Sequence, residues 1–79
     1  MEVVADILEA ASRPGGVVKT RLIYGANLSL KMFKRYIPFL LEEGLIEVNS
    51  GYYHATKKGR EFLEYYRGAR RVFRGRWAP

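Results

Sequence analysis

An amphipathic helical pattern opens the chain, from about Glu2 to Ser12. Its apolar positions fall on one helix face and are Val3, Val4, Ile7, Leu8 and Ala11. Pro14-Gly15-Gly16 follows and favours a turn, because both residue types interrupt regular structure. Val17-Val18 then predicts a very short strand.

A glycine interrupts the helical pattern that comes next. Thr20 is expected to cap a short helix over residues 21–24, since its hydroxyl can accept from amides of the first turn. Gly25 is expected to end that helix in the left-handed conformation, which a Cβ would penalise. Residues 26–28 then form the turn to the next helix. Two helices joined by a short glycine-containing turn predict a helix-turn-helix.

The second helix of this pair is predicted from Leu30 to about Glu43, with Ser29 as its cap and Gly44 as its stop. The face predicted to point inward comprises Leu30, Phe33, Ile37, Leu40 and Leu41. The opposite face carries three cations with no acid among them, which are Lys31, Lys34 and Arg35. Pro38 costs a helix interior about 3 kcal/mol, so we expect it either to kink the helix on its outward side or to end it at Ile37.

Two β-rich runs, residues 45–49 and 52–55, flank Ser50-Gly51 and predict a hairpin. The two-residue turn sets a register with Val48 opposite Tyr53 and Ile46 opposite Ala55 on the core side, and Glu47 opposite His54 and Asn49 opposite Tyr52 outside. Thr56 is expected to cap a last helix, in which Gly68 is expected to interrupt the pattern. The apolar positions of that helix are Phe62, Leu63, Tyr66, Ala69 and Phe73.

The predicted order is helix, short strand, helix, turn, helix, β-hairpin wing and helix. This is a winged helix-turn-helix, an α+β fold that is mostly α. Residues 1–66 form the predicted domain, and residues 67–79 form a basic extension rich in Arg and aromatic residues. We expect Tyr24, Phe33, Tyr36, Phe39 and Phe62 to belong to the core. A domain of 79 residues buries only about 60% of its unfolded surface, and no cysteine supplements its core.

The net charge of +6 is unevenly distributed along the chain. Residues 67–79 hold five arginines and no acid, which leaves nine basic and eight acidic residues in 1–66. All eight acids lie outside residues 19–35, which hold Lys19, Arg21, Lys31, Lys34 and Arg35. Such segregation favours a polyanionic partner, usually nucleic acid and less often a membrane surface.

The sequence offers little material for catalysis or for cofactor binding. His54 is the only histidine and has no cysteine partners, so neither a metal site nor a catalytic set can be assembled. No Gly-Lys-Ser/Thr phosphate loop is present. We therefore expect a protein that is not an enzyme and needs no metal or cofactor. The absence of a signal peptide and of a long apolar run predicts a soluble cytoplasmic protein.

The stretches "KTRLIYGANLS", "KRYIPFLLEEGLI" and "YHATKKGREFLE" resemble small archaeal winged-helix proteins, typified by the ten-kilodalton Sulfolobus-type chromatin proteins. The resemblance covers about Ile7 to Tyr66. It implies double-stranded DNA binding through residues 30–43 and the wing at residues 49–52, and a nucleoid-associated location. It also implies a homodimer through the last helix, here shortened by Gly68, with contacts from Phe62, Tyr66, Ala69 and Phe73.

The residues predicted to contact DNA share positive charge or hydrogen-bonding capacity near the predicted helix-turn-helix, wing or basic extension. They are Lys19, Thr20, Arg21, Asn27, Ser29, Lys31, Lys34, Arg35, Asn49, Ser50, Tyr52, Arg67, Arg70 and Arg71. On the outward face of the second helix, only Arg35, with Asn27 nearby, suits bidentate contacts with bases. Modest sequence preference is therefore expected, in a transcriptional regulator or a chromatin-associated protein.

Other partners remain open. Winged helices also serve as protein-interaction adaptors, so the fold alone does not fix the function. The sequence "YYRGARRVFRGRWAP" suits RNA or ribosome association, with Arg on phosphates and Phe73 and Trp77 stacked on bases. It also suits a groove of duplex DNA, a subunit contact, a solvated end or an anionic lipid surface, of which the last is the least favoured.

Overall fold

The structure is a computed structural model that describes residues 2–77, with side chains described for residues 2–68. Its elements in chain order are α1 (Glu2–Ala11), β1 (Val17–Val18), α2 (Lys19–Gly25), α3 (Leu30–Glu42), β2 (Ile46–Asn49), β3 (Tyr52–Ala55) and α4 (Lys57–Trp77). This confirms the element order predicted from the sequence.

The three strands form one antiparallel sheet in the order β1-β3-β2. The predicted hairpin register is confirmed at all four of its pairs. Val48, expected on the core side, is 43% exposed, so that part of the prediction was wrong. Ser50 and Gly51 have φ of 51° and 80°, as a two-residue type I′ turn requires at both central positions. β1 adds Val17 opposite Tyr53 and Val18 opposite Tyr52. Because side chains alternate between faces, Tyr53 and Tyr52 point to opposite sides of the sheet.

The core lies where α1, α2 and α3 meet the inner face of the sheet. Its fully enclosed large side chains are Ile7, Leu8, Leu22, Leu40 and Ile46. Buried residues of the turn before α3, Ala26 and Leu28, join the same cluster. Among the described residues no buried side chain is polar or charged, so apolar packing carries the stability.

Several residues predicted to lie in the core are exposed. Leu30 is 54% exposed and Leu41 is 37% exposed, while Phe33, Ile37 and Leu40 between them are buried. The buried arc of α3 is therefore narrower than the apolar arc of its sequence. Tyr24 is 80% exposed and Phe39 is 52% exposed, so these two predictions were wrong as well. Of the other predicted core aromatics, Phe33 is buried, and Tyr36 and Phe62 are partly buried.

The turn between α2 and α3 uses a different residue from the one predicted. Gly25 lies inside α2, where its added Cβ would be 3.3 Å from the Ala10 Cβ of α1. Asn27 takes the left-handed conformation instead, with φ of 54°. Hydrogen bonds from Asn27 N to Tyr24 O (3.2 Å) and from Leu28 N to Ile23 O (2.9 Å) complete a Schellman motif. Asparagine is the residue other than glycine that best tolerates this position.

The predicted limits of the helices also need correction. α2 begins at Lys19 directly after β1, and its cap position, Val18, makes no side-chain hydrogen bond, so Thr20 is not the cap. α3 continues through Pro38 to Glu42, with Pro38 on the exposed side. α4 runs unbroken across Gly68 to Trp77. One glycine costs a helix interior about 1 kcal/mol, which is too little to end a helix that packs on α1.

Candidate nucleic-acid interface

Three cations lie together on the exposed face of α3. Ser29 begins the helix, and its Oγ accepts a hydrogen bond from the Met32 amide at 3.1 Å. Phe33 and Ile37 point into the core, which turns Lys31, Lys34 and Arg35 toward solvent. None of these three cations forms an ion pair with any described side chain. We call them the α3 cationic face.

The charge changes sign along α3. Its first two turns carry the α3 cationic face, whereas Glu42 and Glu43 stand exposed at its other end. The helix macrodipole adds positive potential at the beginning and negative potential at the end. A polyanion is therefore attracted to the amino-terminal half of α3 and repelled from its carboxy-terminal end.

Lys19 is held beside this face by an aromatic contact. Its Nζ lies 5.0 Å from the centre of the Phe33 ring, within the range of a cation–π interaction. Phe33 in turn meets Tyr53 edge-on, with ring centres 6.0 Å apart. The contact from Lys19 through Phe33 to Tyr53 thus links the first residue of α2, α3 and the inner face of the sheet.

The other predicted DNA contacts near α3 are exposed but point in different directions. Thr20, Asn27 and the wing residues Asn49 and Ser50 are all at the surface. Tyr52, predicted to project outward, is exposed on the outer face of the sheet, the face away from Phe33. It borders a shallow groove with Arg21 and Arg13. Arg21 and Tyr52 are thus grouped with Arg13, a cation absent from the sequence-based prediction.

Arg67 is engaged within the domain. Its Nη2 lies 2.7 Å from Glu9 Oε2, which ties α4 to α1. Phe62 and Tyr66, predicted to make a dimer contact, are partly buried against the core of their own chain. The side chains of Arg70, Arg71, Ala69 and Phe73 lie outside the described residues. Their assigned roles stay predictions, as does the dimer.

A set of hydrogen bonds fixes the end of α3 to the beginning of α4. Thr56 Oγ1 donates to Gly44 O at 2.6 Å and accepts from Gly59 N at 3.0 Å, so the predicted cap is confirmed and has a second partner. Lys58 Nζ donates to Glu43 O at 2.7 Å. Because the acceptors are the two residues that directly follow α3, these bonds tie the end of α3 to α4. The sequence indicated only the capping part of this arrangement.

The described part of the chain lacks the features of a metal site and of a membrane-spanning helix. It holds no group of three or more His, Asp or Glu residues placed to bind a metal ion. None of its helices combines the length and apolar character needed to cross a membrane.

Comparison with known proteins agrees with this architecture. A family model described as winged helix-turn-helix matches residues 1–74. The chain is 37% identical over 60 residues to the uncharacterized protein MJ0287 of Methanocaldococcus jannaschii, covering 76% of this chain and 61% of that protein. It is 37% identical over 62 residues to the uncharacterized protein MJ0290 of the same archaeon, covering 78% of this chain and 29% of that protein. The chain thus spans less than two thirds of either relative, and it belongs to the winged helix-turn-helix family.

Proposed function

We propose that this protein binds double-stranded DNA, with the first turns of α3 in the major groove and the wing tip beside the backbone. The observation that carries the proposal is the α3 cationic face, which has no acidic partner among the described side chains. Like charges on one helix face repel each other. Phosphates would remove that repulsion, and release of their counterions would supply affinity. Helix-turn-helix proteins place their second helix in the major groove in this way.

The proposed binding has modest sequence preference. Lysine contacts mainly phosphates, while Arg and Asn can form bidentate hydrogen bonds with guanine and adenine. Arg35 is the arginine of the α3 cationic face, and Asn27 lies exposed in the turn before α3. Two such residues can favour some sites without selecting one sequence sharply. A general transcriptional regulator or a chromatin-associated protein fits this balance.

Duplex titration at several salt concentrations tests the proposal. If about six cations engage phosphates, log K falls with log salt with a slope near −5. Lys31→Glu should weaken binding by at least about tenfold, or about 1.4 kcal/mol. Lys57→Glu is the matched control, because it changes the net charge equally at an exposed position on α4. Its affinity should fall much less than that of Lys31→Glu.

Three results would contradict the proposal. An adaptor protein would show no salt-dependent duplex binding even as wild type. A nucleic-acid binder led by the basic extension would tolerate Lys31→Glu and instead lose affinity with Arg70→Gln and Arg71→Gln. Equal losses in Lys31→Glu and Lys57→Glu would show that net charge matters and the face of α3 does not.

A further inference from the structure

A shallow groove crosses the outer face of the sheet where β1 meets β3. Its lining includes Arg13, Gly16, Val18, Arg21 and Tyr52. No acidic side chain of the described residues lines it. Val18 is 39% exposed and Tyr52 is 46% exposed, so the groove combines an exposed apolar and aromatic surface with two arginine side chains.

A rigid turn places Arg13 at this groove. Gly16 N donates to Arg13 O at 2.9 Å, with Pro14 at the second turn position and Gly15 at the third with φ of 82°. This is the residue pattern of a type II turn. Gly16 has φ of 78°, and a Cβ there would lie 2.8 Å from the backbone oxygen of Tyr53, so only glycine lets the turn pack this closely on β3. The fold therefore holds the loop that carries Arg13 against the sheet.

Neither arginine is neutralised within the described structure. Arg13 and Arg21 form no ion pair or side-chain hydrogen bond with any described residue. They also border the adjoining groove between α1 and α2, where Asp6 and Glu9 lie. Glu9 there is engaged by Arg67 at 2.7 Å. Asp6 forms no ion pair with either arginine. Two guanidinium groups beside one groove, without an ion-pair partner among the described residues, favour an anionic ligand.

We infer that Arg13 and Arg21 form a second nucleic-acid site, which binds a phosphodiester backbone across the outer face of the sheet. Guanidinium groups bind phosphates through paired hydrogen bonds, and the Tyr52 hydroxyl can donate to a third phosphate oxygen. The floor formed by Val18 and the Tyr52 ring accommodates the apolar edge of the sugars. Since α3 packs against the other face of the sheet, this site is separate from the α3 cationic face. The second site extends the proposed function, and it does not depend on the α3 cationic face, which carries that function.

The test compares two variants that each remove one positive charge. Arg13→Gln should reduce the magnitude of the salt slope for duplex binding by about 1. Lys57→Gln, at an exposed position on α4, should leave the slope close to that of wild type. Equal slopes for Arg13→Gln and Lys57→Gln would overturn the inference. Both variants change exposed side chains, and their thermal unfolding should match that of wild type.

A second measurement identifies the source of the phosphates. In one arrangement a single duplex bends from α3 onto the groove. The double variant Arg13→Gln, Arg21→Gln then protects fewer base pairs than wild type in a footprinting experiment. In the other arrangement a second duplex occupies the groove. The double variant then still binds one duplex but no longer joins a labelled duplex to an immobilised one. An unchanged footprint together with unchanged joining would overturn the second site.

Failure of this inference can be separated from failure of the proposed function. If Lys31→Glu abolishes duplex binding and Arg13→Gln has no effect, the α3 interface stands and the second site does not. If Arg13→Gln lowers the salt slope and Lys31→Glu has no effect, the groove is the main nucleic-acid site and the proposed role of α3 is wrong.

Discussion

Thr56 joins the end of α3 to the beginning of α4 through one hydroxyl group. Its Oγ1 accepts from Gly59 N at 3.0 Å and donates to Gly44 O at 2.6 Å. Thr56→Val removes both bonds while keeping the branched shape. Loss of a helix cap costs about 1 kcal/mol, and loss of the second, exposed bond costs about 0.5–1 kcal/mol. The free energy of unfolding should therefore fall by about 1.5–2 kcal/mol.

Such a loss is large for this domain. At roughly 0.05–0.15 kcal/mol per residue, a chain of this length has a total stability of about 4–12 kcal/mol. A change of 1 kcal/mol lowers Tm by about 4–8 °C in a domain of this size, so Thr56→Val should lower it by about 6–16 °C. Urea denaturation at one fixed protein concentration measures the loss in free energy of unfolding directly. The slope of that free energy against urea concentration should be the same for Thr56→Val and wild type.

Thr56→Ser is the matched control because it keeps the hydroxyl and loses only a methyl group. Serine is as good a helix cap as threonine or better, so this variant should stay within about 0.5 kcal/mol of wild type. The reasoning is refuted if Thr56→Val is as stable as wild type. It is also refuted if Thr56→Ser and Thr56→Val are destabilised equally, since the hydroxyl would then not be the cause.

Three further pairs of variants test the packing and the turn. Gly59→Ala would place a Cβ against the backbone oxygen of Leu45 and should cost about 1–3 kcal/mol. Gly68→Ala meets nothing within 4 Å and should stabilise α4 by up to about 1 kcal/mol. Thermal unfolding distinguishes the two variants. Leu40→Ala leaves a cavity at a fully buried site and should cost about 2–5 kcal/mol of stability. Leu41→Ala, on the exposed flank of α3, should cost under about 1 kcal/mol. Urea denaturation measures both changes. Asn27→Ala should lower the free energy of unfolding by about 1 kcal/mol because φ is 54° there, while Asn27→Gly should lower it less. Equal losses of stability in the two variants would show that backbone strain is not the cause.

Local sequence signals predicted the helices and strands because the caps and turns that bound them depend on residues close together in the sequence. The Ser29 cap, the two-residue turn at Ser50-Gly51 and the Thr56 cap all involve neighbours in the sequence, and the structure confirms them. The same signals could not separate Gly25 from Asn27 as the left-handed residue, since both residue types tolerate that conformation. Gly25 lies inside α2 with an added Cβ 3.3 Å from the Ala10 Cβ of α1, a tertiary contact that no local pattern contains.

Tertiary contacts explain the rest of what the sequence did not predict. The helical spacing of charged residues in α3 identified the cationic face. It could not give the width of the buried face of α3, because that width depends on how much of the helix the neighbouring elements cover. Arg67 looked like part of a basic extension, yet it pairs with Glu9, which lies far away in the sequence. Arg13 lacked any signal, because only the turn at Gly15-Gly16 and the pairing of β1 with β3 bring it close to Arg21.

The central claim is that DNA contacts the amino-terminal half of α3. The most direct measurement is the change in backbone amide chemical shifts of isotope-labelled protein as a short duplex is added. The largest changes should fall on residues 29–35, with further changes at residues 49–52 and little at residues 61–66 of α4. Saturable binding in which residues 29–35 stay unchanged, while α4 carries the largest shifts, would contradict the claim.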